Sequence, residues 1–116
     1  MPVYCTALGK AMLAFSGDDE IERAIRRGLP SRTENTIVDP QAFRAELAAI
    51  REGGVAFDRE ESHRLYTCVA VPIRGSGRAL SALSMTGLTA TVDLDAAAQL
   101  MGREAREIWP KIFVPR

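Results

Sequence analysis

Along this chain the spacing of apolar positions is helical for the first half, switches to a period of two, and returns to helical at the end. From Cys5 to Phe15, Leu8, Met12 and Phe15 recur at helical spacing, and Ala7, Gly9, Ala11 and Ala14 are small enough for neighbours to approach closely. This predicts a nearly buried first helix. Ser16 and Asp19 have the form of a capping pair for a second helix, with Ile21 and Ile25 as its apolar stripe and Gly28 as its stop. The stretch LPSRTENTIVD reads as a loop or extended connection. Asp39-Pro40 then supplies an N-cap acceptor and a proline at the first position of a third helix. Phe43, Leu47 and Ile50 make its inner face and Arg44, Glu46 and Arg51 its outer face, and Gly53-Gly54 ends it.

The period-two region predicts a short strand over Val55–Phe57, an acidic loop with Asp58, Glu60 and Glu61, and strands from LYTCVAVPI and ALSALSMTG joined by the turn RGSGR. Pro72 marks an edge or the end of regular pairing. A last helix carries the stripe Leu94, Ala97, Ala98, Met101, Ala105, Ile108 and Ile112, with Pro110 bending or fraying its end. The sum is an α+β domain with helices on one face of an antiparallel sheet. On the hairpin, Val69, Val71, Ile73, Leu83 and Met85 share a bulky side, the expected seat of the helices. Cys68, Ala70, Ala82, Ser84 and Thr86 share the opposite side. Such residues either fill a tight core or face water, or they leave room and donors for a compact polar ligand.

Composition narrows the class. At 116 residues, 47% hydrophobic and 26% charged, the chain fits one packed domain. Lys plus Arg and Asp plus Glu both number 15, so the formal charge is zero, which disfavours direct nucleic-acid binding by this piece. No apolar run reaches membrane-spanning length and the first residues form no signal peptide, so a cytoplasmic setting is expected. Cys5 and Cys68 lack metal-type spacing and read as free thiols.

Candidate chemistry is sparse. Gly9-Lys10 invites comparison with a phosphate-binding loop, but that motif needs an earlier glycine where Tyr4 stands and a hydroxyl where Ala11 stands. Lys10 is instead expected to reach solvent or a partner carboxylate. Cys5 or Cys68 with His63 would form a nucleophile–base dyad, yet an inert thiol and an exposed loop histidine are the simpler reading. Glu60 and Glu61 are adjacent, point apart, and read as a solvated charge run in place of an acid–base pair. Cys5, His63, Cys68 and a carboxylate show no diagnostic metal spacing. No catalytic residue, metal or cofactor is called for. A module whose helices serve only assembly, with a vestigial pocket, is the competing reading.

Four stretches together, YCTALGKAMLAF, TENTIVDPQAFRAELAAIREGGVAFDREE, CVAVPI and ALSMTG, resemble the effector-binding domain of IclR-type transcriptional regulators, in family order and spacing. The resemblance implies a GAF-like fold that follows an N-terminal winged helix-turn-helix and binds small metabolites such as short keto acids or aromatic acids. It implies homo-oligomers, commonly dimers or dimers of dimers, and contact with DNA only through the helix-turn-helix, which this chain lacks along with the family's early strands. Carried over by position, the ligand contacts fall on Ala7 and Leu8 through their main chain, and on Asp58, Cys68, Ser84 and Thr86. The amides at the start of the first helix would seat a carboxylate. Asp58 would repel that group, so it is expected to accept from a ligand hydroxyl, a water or a neighbouring donor. One departure stands out: Leu65 occupies a position where the family often has glycine, which adds bulk near the mouth of the pocket.

Overall fold

The protein is described by a computed structural model over residues 3–75 and 78–112. Helices α1 (Ala7–Ala14), α2 (Asp18–Arg27) and α3 (Pro40–Gly53) precede strands β1 (Ala56–Arg59), β2 (Tyr66–Gly75) and β3 (Arg78–Leu88), and α4 (Leu94–Ile112) closes the fold. The strands form an antiparallel sheet in the order β1-β2-β3. The tip of the RGSGR turn, Ser76-Gly77, lies outside the described residues.

Local chemistry explains most element boundaries. Asp39 caps α3 by accepting from the Ala42 amide at 2.8 Å, Pro40 opens the helix, and Gly54 ends it at a φ of 75°. Gly28 ends α2 with a φ of 102°. The start of α2 differs from expectation: Gly17 is the N-cap with no side-chain bond, because the Ser16 hydroxyl donates back to the Met12 carbonyl at the end of α1. Pro72 sits inside β2, the middle strand, and pairs across from Ala82. It is tolerated because the ladder to β1 stops at Ala70, so the proline adjoins β1's strand only beyond the end of their pairing. The β2–β3 register slips just after it, between Ile73 and Arg74. Helix α4 continues past Pro110 to Ile112.

Helices cover both faces of the sheet, a correction to the one-sided arrangement expected from the strand pattern. Val69, Val71 and Ile73 meet Ala97, Met101 and Ala105 of α4, as the bulky side was expected to do. Ala56 and Ala70 on the other face are buried against α1 and the core of α3. Small residues there do not mark an empty face; they let a helix come close. The same constraint appears on α1, whose buried positions are Ala7, Lys10, Ala11, Leu13 and Ala14. Of the expected core stripe, Phe15 is buried, while Leu8 is exposed and Met12 half-buried. Burying the alanines brings the helix axis nearer the sheet than a leucine stripe would permit.

Gly9 and Leu65 are among the backbone positions that carry crowding or strain. A Cβ on Gly9 would meet the Val3 carbonyl oxygen at 2.6 Å and the Thr6 hydroxyl at 2.8 Å, so only glycine lets the incoming chain cross the first turn of α1. Leu65 has a φ of 73°, a left-handed conformation in which glycine is at ease and leucine is not. Gly9→Ala should therefore lower stability by about 1–3 kcal/mol in urea unfolding, although alanine is the better helix former. By the same measurement Leu65→Gly should be more stable than Leu65→Ala by about 1 kcal/mol, the reverse of the usual order. A neutral Gly9→Ala, or Ala above Gly at 65, would contradict these readings.

Candidate functional site

The register places three of the expected site residues side by side. Asp58 on β1 pairs with Cys68 on β2, and Cys68 pairs with Thr86 on β3, so the three form one row across the sheet. The next row on the same face is Ala56, Ala70 and Ser84. Ser84 and Thr86 are exposed, Cys68 is half-buried and Asp58 is buried. Thr86 donates its hydroxyl hydrogen to the Cys68 sulfur at 3.2 Å. Burial pushes the Cys68 thiol above its ordinary value, with the Thr86 hydrogen bond opposing, so the sulfur stays protonated at neutral pH. That works against the thiolate that nucleophilic chemistry needs. His63 is exposed on the β1–β2 loop.

Helix α1 packs onto this face and contributes Ala7 and Leu8 at its first two positions. Thr6 is the N-cap, and its hydroxyl accepts from the Gly9 amide at 3.1 Å. By helix geometry the amides of the first turn have no carbonyl four residues back and lie at the positive end of the helix dipole. Ala7 is fully buried and Leu8 is 39% exposed, so this turn spans the boundary between core and solvent.

Asp58 is already engaged. One oxygen accepts from the Glu61 amide at 2.7 Å and the other from the Ser62 hydroxyl at 2.7 Å, which winds the start of the β1–β2 loop around the carboxylate. The expectation of a neighbouring donor holds in this form. The following residues are clasped from the other side. Asn35, Thr33 and Thr36 donate to the successive carbonyls of Arg59, Glu60 and Glu61, which gives the TENT stretch a concrete task.

Lys10 does not reach solvent. Its ammonium is fully buried and donates to Glu61 at 2.8 Å, Glu46 at 2.8 Å and the Phe57 carbonyl at 2.6 Å. The carboxylate partner expected for it is therefore present twice. Two acidic expectations need correction. Glu61 is buried and paired, in place of lying in a solvated charge run, and Glu46 turns from the outer side of α3 toward α1. Burial pushes the Glu61 carboxyl up, and Lys10 pulls it back down. Sequence reasoning missed this cluster because no local pattern links residues 36 and 51 positions apart. The available signal was a single lysine in a helix otherwise made of small and apolar residues.

Residues 1–108 match the family model described as the bacterial transcriptional regulator IclR C-terminal domain. The DNA-binding transcriptional repressor YiaJ of Escherichia coli is 41% identical over 76 residues, covering 63% of this chain and 27% of that protein. The regulator XynR of the same organism is 38% identical over 96 residues, covering 80% of this chain and 38% of that protein. The chain thus spans between a quarter and two fifths of the length of these curated relatives. Among solved structures, the transcriptional regulator YaiJ superposes with a TM-score of 0.86 at 33% identity, over 97% of this chain and 66% of that one. An IclR homologue from Microbacterium hydrocarbonoxydans complexed with 4-hydroxybenzoate superposes with a TM-score of 0.87 at 27% identity, over 93% of this chain and 45% of that one. With its sequence matched along nearly the whole length and its fold matched to such domains, this chain belongs to the IclR family of bacterial transcriptional regulators and corresponds to their C-terminal effector domain.

Proposed function

We propose that this domain senses a small carboxylate or aromatic acid, bound between the first turn of α1 and the hairpin face of the sheet. The Ala7 and Leu8 amides would hold the carboxylate, and Cys68, Ser84 and Thr86 would bond the remaining polar atoms of the ligand. Asp58 would shape the adjoining loop and accept from a ligand hydroxyl. The observation that carries the reading is the row Asp58–Cys68–Thr86 on the face that α1 covers, with the Ser84 and Thr86 hydroxyls still exposed. A neighbour of the same fold complexed with 4-hydroxybenzoate supports it. Binding performs no chemistry on the ligand. It favours one arrangement of a larger cytoplasmic homo-oligomer, whose attached helix-turn-helix segments contact DNA, by differential affinity for two states.

A thermal-shift screen of keto, hydroxy and aromatic acids tests this directly. At one hundred times its Kd, a ligand stabilises the folded state by about 2.7 kcal/mol and raises the unfolding midpoint by several degrees. For the acid that binds best, Ser84→Ala and Thr86→Ala should each weaken affinity by about 3- to 10-fold, as expected for one hydrogen bond, while the exposed Glu52→Ala leaves it unchanged. Equal effects at all three positions would move the site elsewhere. A midpoint that responds to protein concentration and to no acid would favour a module used only for assembly.

A further inference from the structure

Lys10 stands at a junction that neither the hairpin face nor the helix start explains alone. Each of its three ammonium hydrogens goes to a different element: Glu46 on α3, the Phe57 carbonyl on β1, and Glu61 in the β1–β2 loop. Within α1, the Lys10 amide donates to the Thr6 carbonyl at 3.0 Å, so the residue that is anchored also closes the first helical turn. On the other side, Phe57 directly precedes Asp58, and the Glu61 amide is the donor that Asp58 accepts. The second Glu61 oxygen accepts from the Arg59 amide at 3.3 Å, and the Glu61 carbonyl is held by Thr36 at 2.6 Å. Glu61 is therefore fixed through its side chain, amide and carbonyl at once. A single ion pair thus joins the start of α1 to the turn around Asp58.

We propose that Lys10 and Glu61 are positioning residues for the ligand site, holding the α1 amides in register with the Asp58–Cys68–Thr86 row without touching the ligand. The inference rests on the binding site proposed above. Geometry also separates positioning from simple charge. The ammonium is matched by two carboxylates, with Asp58 nearby, so the cluster offers no net positive charge to an anion. Reach is what matters in this account. Glutamine at 61 keeps an acceptor for Lys10 at the same distance without the charge, and gives up only the long 3.3 Å bond from the Arg59 amide. Aspartate keeps the charge but is shorter by one methylene.

The two substitutions therefore pull in opposite directions under the two accounts. With the most stabilising acid of the screen as probe, isothermal titration should show Glu61→Asp weakening affinity about tenfold and Glu61→Gln staying within about threefold of the parent. If charge alone mattered, Glu61→Asp would bind as the parent does and Glu61→Gln would bind an anion more tightly; that pattern overturns the proposal. Native-state hydrogen exchange gives a readout that needs no ligand. In Glu61→Asp, the Gly9, Lys10 and Glu61 amides should exchange about tenfold faster together, while Val69 and Met85 in the β2–β3 ladder keep their rates. Unchanged exchange at Gly9 and Lys10 would overturn the joint even if binding is found. Faster exchange at those amides, in a protein that binds no acid of the screen, would uphold the joint and reject the binding role. Should Glu61→Asp fold poorly, Thr36→Val, which releases the Glu61 carbonyl together with the Arg32 and Thr33 amides that the hydroxyl accepts from, should give the same exchange pattern at Gly9, Lys10 and Glu61 at smaller amplitude.

Discussion

A lysine ammonium buried without partners would cost more than a domain of this size can spare, and the fold is arranged so that Lys10 is never in that state. Full burial of Lys10 requires three acceptors at once, and they come from α3, β1 and the β1–β2 loop. Removing one side of such a buried pair typically costs about 3–5 kcal/mol, because the remaining charge is left uncompensated. The requirement fixes where α1 lies over the sheet. It also explains the small residues around it: Ala7, Ala11 and Ala14 on the helix, and Ala56 and Ala70 on the strands, are all buried. Gly9 allows the chain to cross close to the first turn. Large side chains at those places would lift the helix and leave the ammonium short of its acceptors.

The proposed site is built on that arrangement. Once α1 is seated, its first turn lies on the same face as Asp58, Cys68 and Thr86, and the row itself follows from strand register alone. The loop after β1 is the remaining variable part, and three sets of contacts remove its freedom. Asp58 winds it from within, Thr33, Asn35 and Thr36 bind its carbonyls, and Lys10 binds its Glu61 side chain. The strained φ at Leu65 is held in the same loop, where the Glu60 carboxylate accepts from the Leu65 amide at 3.0 Å. A segment so heavily determined is consistent with a binding surface that is formed before its ligand arrives.

Local chemistry was legible in the residues. Asp39-Pro40 announced α3, Gly28 and Gly54 announced helix ends, and the alternation over Val69, Val71 and Ile73 announced the face that α4 covers. That Cys68, Ser84 and Thr86 share a face was legible in the strand alternation, while Asp58 joined them only through family resemblance, because register between strands is not written in any one strand. What stayed hidden had a common cause. The burial of Glu61, the inward turn of Glu46 and the use of TENT all depend on partners far along the chain, and charge in a short acidic run resembles a solvated face whether or not a lysine waits beneath it. Small residues on the hairpin were ambiguous for a related reason. Close helix packing and an open pocket ask for the same side chains, and this face contains both: Ala56 and Ala70 under α1, Ser84 and Thr86 in the open.

Ligand recognition is proposed on the α1 side of the sheet, at one end of that helix. Amide chemical-shift mapping during titration with the acid that stabilises the protein most tests this placement. The predicted result is a set of perturbations concentrated at Ala7, Leu8, Cys68, Ser84 and Thr86, tapering toward the β1–β2 loop. Perturbations centred instead on α4, or on the shallow cavity between α2 and α3 lined by Ile21, Leu47 and Ala48, would contradict it.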